Sequence, residues 1–235
     1  MTTALHLDWP GLLNARDLGG LPVSGGGSIR ERALVRSDAH SNLTPDGLAA
    51  LRSYGVSRVL DLRGPAEIAV KPSPLAGDAC YLNLPVQDPS DPEEGSLIEL
   101  YVGMLERRPD LFATAVAAIA EAPAGTVAVH CAAGKDRTGL VVALALSLAG
   151  VPDEAIGADY ALTEARLSHR YDELIAEAAD EAERAFWQSV RYTPASNITG
   201  ALEHVRANHG DIASYLTTGG LRPAHHKALT TRLLA

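Results

Sequence analysis

Cys131 and Arg137 stand six positions apart at the two ends of the run Cys131-Ala132-Ala133-Gly134-Lys135-Asp136-Arg137. Before it lies TVAVH (126–130), which reads as a buried strand. After it lies TGLVVALALSLAG (138–150), which reads as a buried helix closed by Gly150. The short side chains of Ala132, Ala133 and Gly134 let the backbone curl and turn successive N–H groups to one side. A strand, a small-residue turn and a helix start together make a nest for an anion, with the helix dipole adding positive potential. The spacing brings Cys131 and Arg137 to the same anion, and a planar guanidinium can hold two phosphate oxygens at once. The same field favours the thiolate of Cys131, with His130 and Lys135 expected to add positive charge. A thiolate facing a phosphate held by arginine is arranged for attack on phosphorus and a phosphocysteine intermediate. The Thr138 hydroxyl is expected to hydrogen-bond the sulfur and ease its departure in the second step. The plainer reading of Cys131, a buried structural thiol, leaves the arginine, the glycine and the helix start without a purpose.

Three zones must position this run. Residues 14–38 hold short extended pieces, ARDLGGLPV and IRERALVRSD, separated by the turn SGGGS in a hairpin pattern. Residues 44–150 alternate helix and strand. Thr44-Pro45 reads as an N-cap followed by proline at the first helical position, with Gly55 as the stop. VSRVLDL, ACYLNLPV and TVAVH read as strands, SLIELYVGMLER and PDLFATAVAAIAEA as helices. That alternation predicts an α/β fold with a central, mostly parallel sheet of four or five strands, flanked by helices on both faces. Residues 152–235 carry helical patterns only, with a break expected near Ser168. The 235 residues suit a single domain, 1–235, with an α/β core over 14–150 and a helical segment over 152–235. Within the latter, 152–192 reads as core covering or as a lid over the pocket. QDPSDPEEG (87–95) is an acidic, proline-rich loop directly after a strand.

HCAAGKDRTG is similar to the His-Cys-x5-Arg-Ser/Thr signature of the protein tyrosine phosphatase superfamily. More narrowly, it resembles the bacterial tyrosine/serine phosphatases whose loop reads HCxAGKDRTG. Their N-x-R-D-L-G-G is matched by Asn14-Ala-Arg16-Asp17-Leu-Gly19-Gly20, an RSD-like strand end by Arg36-Ser37-Asp38, and D-L-R by Asp61-Leu-Arg63. An Asp-Tyr on the helix after the core is matched by Asp159-Tyr160, so the resemblance spans residues 14 to about 160. It implies a protein tyrosine phosphatase-like fold and hydrolysis of phosphomonoesters without metal or cofactor. The implied phosphate-binding loop is Ala132, Ala133, Gly134, Lys135, Asp136 and Arg137, with inorganic phosphate as product and pocket ligand. Phosphotyrosine proteins are the implied substrates, with phosphoserine, phosphothreonine or phosphoinositides beside them; a lysine in this loop accompanies phosphoinositide use. The general acid stays open. The resemblance points to Asp136, position favours Asp88, and Asp61 could serve from a neighbouring strand end. The Trp-Pro-Asp of the wider superfamily does not occur upstream, Trp9-Pro10 being followed by Gly11.

Several residues carry competing readings. Asp61 and Arg63 form an ion pair at a strand end or line the pocket, since ligands bind at the carboxyl ends of parallel strands. Arg16-Asp17 is expected to brace the Gly19-Gly20 turn, and Asp159-Tyr160 to pack with a hydrogen bond. Cys80 reads as core, with a protective disulfide to Cys131 as the alternative. The histidines show no metal-ligand spacing, and His225-His226 reads as a solvated surface pair.

Composition excludes other classes. At 46% hydrophobic and 21% charged residues the chain can bury a sizeable core and is not disordered. A net charge of -9 argues against nucleic-acid binding. No apolar run is long enough for a membrane span. MTTALHLDWPG carries no secretory leader pattern, and two cysteines make no disulfide scaffold, so a cytoplasmic location is expected. Arginine far outnumbers lysine, a coding bias that hints at a bacterial source. Two rival functions remain: a sulfurtransferase, which also holds a cysteine in an anion loop, and a non-catalytic phosphate-binding module.

Overall fold

A computed structural model describes residues 4–88, 91 and 95–235. Of the acidic loop expected over 87–95, Pro89, Ser90, Pro92, Glu93 and Glu94 lie outside the described residues. One sheet takes the strands β1 (Leu5–His6), β2 (Arg16–Asp17), β3 (Leu34–Ser37), β4 (Val56–Asp61), β5 (Tyr81–Asn83) and β6 (Thr126–His130). Their spatial order is β1-β2-β3-β6-β4-β5. β3, β6, β4 and β5 run parallel, while β1 and β2 are antiparallel additions. The sheet exceeds the expected four or five strands because β1 and β2 span two residues each, too few for an alternating pattern to show. The expected hairpin forms between β2 and β3, and Gly25, Gly26 and Gly27 turn it at positive φ.

β6 lies in the middle with every residue buried, as a strand covered on both faces must be. Its side chains alternate. Ala128, with Val35 and Val59, packs against Trp9 and against Leu51 of α1 (Pro45–Ser53). Val127 and Val129, with Leu34 and Leu60, face the larger core. That core is roofed by α3 (Leu97–Arg107), α4 (Pro109–Ala120), α5 (Asp136–Leu148), α6 (Asp153–Glu177), α8 (Ala195–His209), α9 (Ile212–Thr218) and α10 (Pro223–Leu233). Two further helices are α2 (Pro65–Val70), which follows β4, and α7 (Glu181–Val190), which packs against α6.

Local signals set the helix ends. Thr44 Oγ1 accepts from the Gly47 amide at 3.1 Å with Pro45 at the first position of α1, and Gly55 follows at φ +87°. α5 is apolar nearly all round and is buried between sheet and helices; Gly150 closes it at φ +89°. The expected break near Ser168 does not occur. Its hydroxyl bonds the Ala165 carbonyl at 3.0 Å, so α6 runs on to Glu177. Among the described residues no helix is long and apolar enough to cross a membrane. The site is set by register: Ser37 and Asp61 both pair with His130, so β3, β4 and β6 end level where Cys131 begins.

Candidate active site

β6 ends at His130 and α5 starts at Asp136, leaving Cys131 to Lys135 as the connection. The carbonyl of each of these five residues is taken by the surrounding scaffold. His130 Nδ1 donates to that of Cys131 at 3.1 Å, the Ala39 amide to that of Ala132 at 3.0 Å, and Asn14 Nδ2 to that of Ala133 at 2.9 Å. Arg36 Nη2 donates to those of Gly134 and Lys135 at 2.8 and 3.3 Å. In a trans peptide C=O and N–H point opposite ways, so carbonyls drawn toward the scaffold send the amides to the far side. Gly134 makes the tightest bend at φ +66°, and a Cβ there would stand 2.2 Å from the Ser37 carbonyl oxygen.

Cys131 is 2% exposed at the base of this loop. Arg137 is held in a fork: its Nη1 and Nη2 donate to the two carboxylate oxygens of Glu67 on α2, at 2.5 and 2.9 Å. Glu67 also accepts from the Gly64 amide at 2.9 Å. Burial alone would raise the Glu67 pKa, but the Arg137 hydrogen bond and charge outweigh it and hold the carboxyl below its ordinary range. A guanidinium gripped at both Nη atoms still offers its Nε edge. Thr138 Oγ1 is buried and has no hydrogen-bond partner among the described residues.

Asp136 takes the hydroxyl of Tyr101, which also meets the Tyr160 hydroxyl at 2.6 Å. Burial and the Asp136 charge push both phenols up, so they remain proton donors. Lys135 is 1% exposed, and its Nζ lies 3.8 Å from Asp136 Oδ1. Its Nζ donates to the Val190 carbonyl at the end of α7 and lies 6.0 Å from the Tyr171 ring centre. Burial lowers its pKa.

The sequence profile of the tyrosine phosphatase family matches residues 7–235. The chain belongs to that family. A tyrosine-protein phosphatase of Nostoc commune is 35% identical over 148 residues, covering 58% of this chain and 50% of that protein. A relative from Cupriavidus necator is 28% identical over 221 residues, covering 86% of this chain and 80% of that one. The triple specificity protein phosphatase PtpB of Mycobacterium tuberculosis is 27% identical over 263 residues, covering 92% and 94%. Membership of the tyrosine phosphatase family implies phosphatase activity.

Other residues singled out in this tyrosine phosphatase family member fall as follows. Asp61 is fully buried. Its carboxylate takes Arg63 Nε and Nη2 at 3.0 and 2.7 Å and the Tyr81 hydroxyl at 2.9 Å. Burial would raise its pKa; the hydrogen bonds and charge of Arg63 outweigh that and hold it below the ordinary carboxylate range. Arg63 lines a cavity of about 470 Å³ that reaches Ala132. Asp88 accepts from Arg108 Nη1 at 3.0 Å and shares a cavity of about 380 Å³ with Glu67 and Arg137. His130 adds no positive charge: burial drives its pKa down to about 4, and its role is the bond to the Cys131 carbonyl. His225 is buried rather than solvated, its Nε2 accepting from Arg222 Nε at 2.9 Å. Asp17 does brace the turn, accepting from the Gly19 amide at 2.9 Å.

The Cys80–Cys131 disulfide is out of reach. Tyr81 and Ala128 both pair with Val59, so Cys80 lies level with Val127, two strands from β6. That is roughly 10 Å across and roughly 13 Å along from Cys131, against a Cα limit of about 7 Å for a disulfide. Glu67 and Tyr101 escaped sequence reading. Neither stands in a motif, and only the fold brings them to Arg137 and Asp136.

Proposed function

We propose that this protein hydrolyses phosphomonoesters through a phosphocysteine on Cys131. The reading rests on one observation above the others: the carbonyls of residues 131–135 are all drawn to the scaffold, which leaves an amide-lined cup with Cys131 beneath it and Arg137 at its rim. Phosphate is held by the amides of Ala132, Ala133, Gly134, Lys135, Asp136 and Arg137 and by the guanidinium edge that Glu67 leaves open. Cys131 Sγ attacks phosphorus, and the ester oxygen leaves with a proton from Asp136. Water then attacks the phosphocysteine, Asp136 takes the water's proton, and the thiolate departs toward the Thr138 hydroxyl.

Asp136 is the preferred acid for a geometric reason. Tyr101 occupies Oδ1, leaving Oδ2 to carry a proton, and the side chain is 38% exposed. Asp61 is fully buried and both its carboxylate oxygens are taken by Arg63 and Tyr81, which leaves neither open to an ester. Asp88 is the contender, since it faces the cavity that Arg137 lines. The substrate class is phosphotyrosine first. The triple specificity of the mycobacterial relative supports substrates beyond phosphotyrosine, for which phosphoserine, phosphothreonine and phosphoinositides are the candidates, the last favoured by Lys135 in the loop. Lys135 must leave the Val190 carbonyl to reach a second phosphate, so α7 would have to move as a lid for phosphoinositide use.

The test is turnover of p-nitrophenyl phosphate and phosphotyrosine by wild type and Cys131→Ser. The variant is expected to lose turnover and keep vanadate binding; undiminished hydrolysis overturns the mechanism. Thiocyanate formation from thiosulfate in place of phosphate release would make it a sulfurtransferase. Asp136→Asn is expected to slow alkyl phosphates far more than p-nitrophenyl phosphate, whose leaving group needs little protonation. If Asp88→Asn alone shows that dependence, the acid is Asp88.

A further inference from the structure

Behind the loop two arginines share one carboxylate. Arg16 of β2 donates Nε to Asp159 Oδ1 at 2.7 Å, and Arg36 of β3 donates Nη1 to Asp159 Oδ2 at 2.8 Å. All three side chains are at most 1% exposed. Arg16 goes on to the Asp159 carbonyl at 3.0 Å, Thr163 Oγ1 at 3.1 Å and Asn14 Oδ1 at 2.5 Å. The far ends of both arms touch the loop: Asn14 bonds the Ala133 carbonyl, and Arg36 bonds those of Gly134 and Lys135. Two guanidinium ions without an anion would be costly in this interior. Asp159 supplies that anion from α6, in the helical half of the chain. α5 makes room for the bridge at Gly139, where a Cβ would lie 3.1 Å from the Tyr160 ring and 3.6 Å from Arg36 Nη2.

From this geometry we propose that Asp159 is a positioning residue for the Cys131 reaction. Through Arg16–Asn14 and through Arg36 it aims the Ala133, Gly134 and Lys135 carbonyls, and hence the amides that receive phosphate. Asp159 touches no substrate; the inference rests on the phosphatase reading of the loop and deepens it. A packing role alone predicts lower stability with an unchanged loop. A positioning role predicts a misaimed loop in protein that is still folded, and a displacement near 1 Å can cost about 100-fold in rate.

The experiment compares Asp159→Asn with Arg36→Lys. The first removes the shared charge at constant shape. The second keeps a cation for Asp159 but has no second nitrogen to reach the loop carbonyls. Vanadate binding is measured by calorimetry, Cys131 alkylation by iodoacetate at pH 6, and folding by near-UV circular dichroism and Tm. Each folded variant is expected to bind vanadate at least 10-fold more weakly and to alkylate several-fold more slowly. Folded variants that match wild type within twofold in both readouts overturn the proposal. If neither variant folds, Asn14→Ala decides, since it leaves the charged bridge intact; wild-type vanadate affinity there would also overturn it. None of these readouts needs turnover, so failure of wild type to release phosphate would sink the phosphatase reading separately.

Discussion

Glu67→Gln separates two roles that a carboxylate beside the phosphate-binding arginine can have. In one, Glu67 competes with phosphate for Arg137; in the other, it holds the guanidinium ready. The geometry favours the second, because both contacts fall on the Nη atoms and the Nε edge stays open. Glutamine keeps the shape and one acceptor for the Gly64 amide but loses the charge and one arm of the fork. Arg137 must then be ordered at the moment of binding, a cost of about 0.5–1.5 kcal/mol for a rotamer-rich side chain. That converts to phosphate or vanadate affinity weaker by roughly 2- to 13-fold, with kcat/KM down in proportion. The pair is part-exposed, at 14% and 37%, so solvent screening limits its share of stability to about 1 kcal/mol or less. In a chain of this size that is a Tm loss of about 4 °C at most. Calorimetric titration of vanadate into wild type and variant is the assay. Tighter binding by Glu67→Gln would refute the orienting role and make Glu67 a competitor.

Two further outcomes follow from the same site. Gly134→Ala forces a side chain into a left-handed conformation, at about 1–2 kcal/mol, with its Cβ against the Ser37 carbonyl. Vanadate binding is expected to fall at least 100-fold, and retained binding would mean that the bend is not essential to the cup. His130 and His40, stacked at 4.1 Å, are both buried with lowered pKa values, His130 near 4. The unfolded chain protonates them near pH 6.5 and the folded one does not, so stability is full above that pH and falls on acidification toward pH 4. The slope approaches about 1.4 kcal/mol per pH unit for each histidine. Tm measured from pH 7.5 to 5 tests this, and a flat profile would contradict it.

The candidate run was legible because strand, small-residue turn and helix follow one another within the 25 residues 126–150, where local spacing carries geometry. The parallel core was legible for the same reason, each strand and helix announcing itself by period and by caps such as Thr44-Pro45. What failed to show depends on contacts between distant segments. Glu67 meets Arg137, Tyr101 meets Asp136, and Asp159 meets Arg16 and Arg36 only once the sheet has closed. Asp159-Tyr160 reads as packing because a lone acidic residue on a helix gives no hint of the two arginines that await it. The charge expected of His130 and the exposure expected of His225 both fail because burial is a property of the fold.

The placement of β6 has a consequence for how the chain comes into being. β6 is the strand that joins β3 to β4, yet β3 ends at Ser37 and β6 begins only at Thr126. At a synthesis rate of about 5–20 residues per second, roughly 4–18 s separate the emergence of the two. From the emergence of β4 until that of β6, β3 and β4 have open edges toward each other and no partner between them. The sheet therefore cannot be laid down strand by strand from the ribosome; it waits for its centre. Such long-range pairing makes for slow folding, and a nascent chain held with unpaired apolar strands is the species that a holding chaperone would recognise.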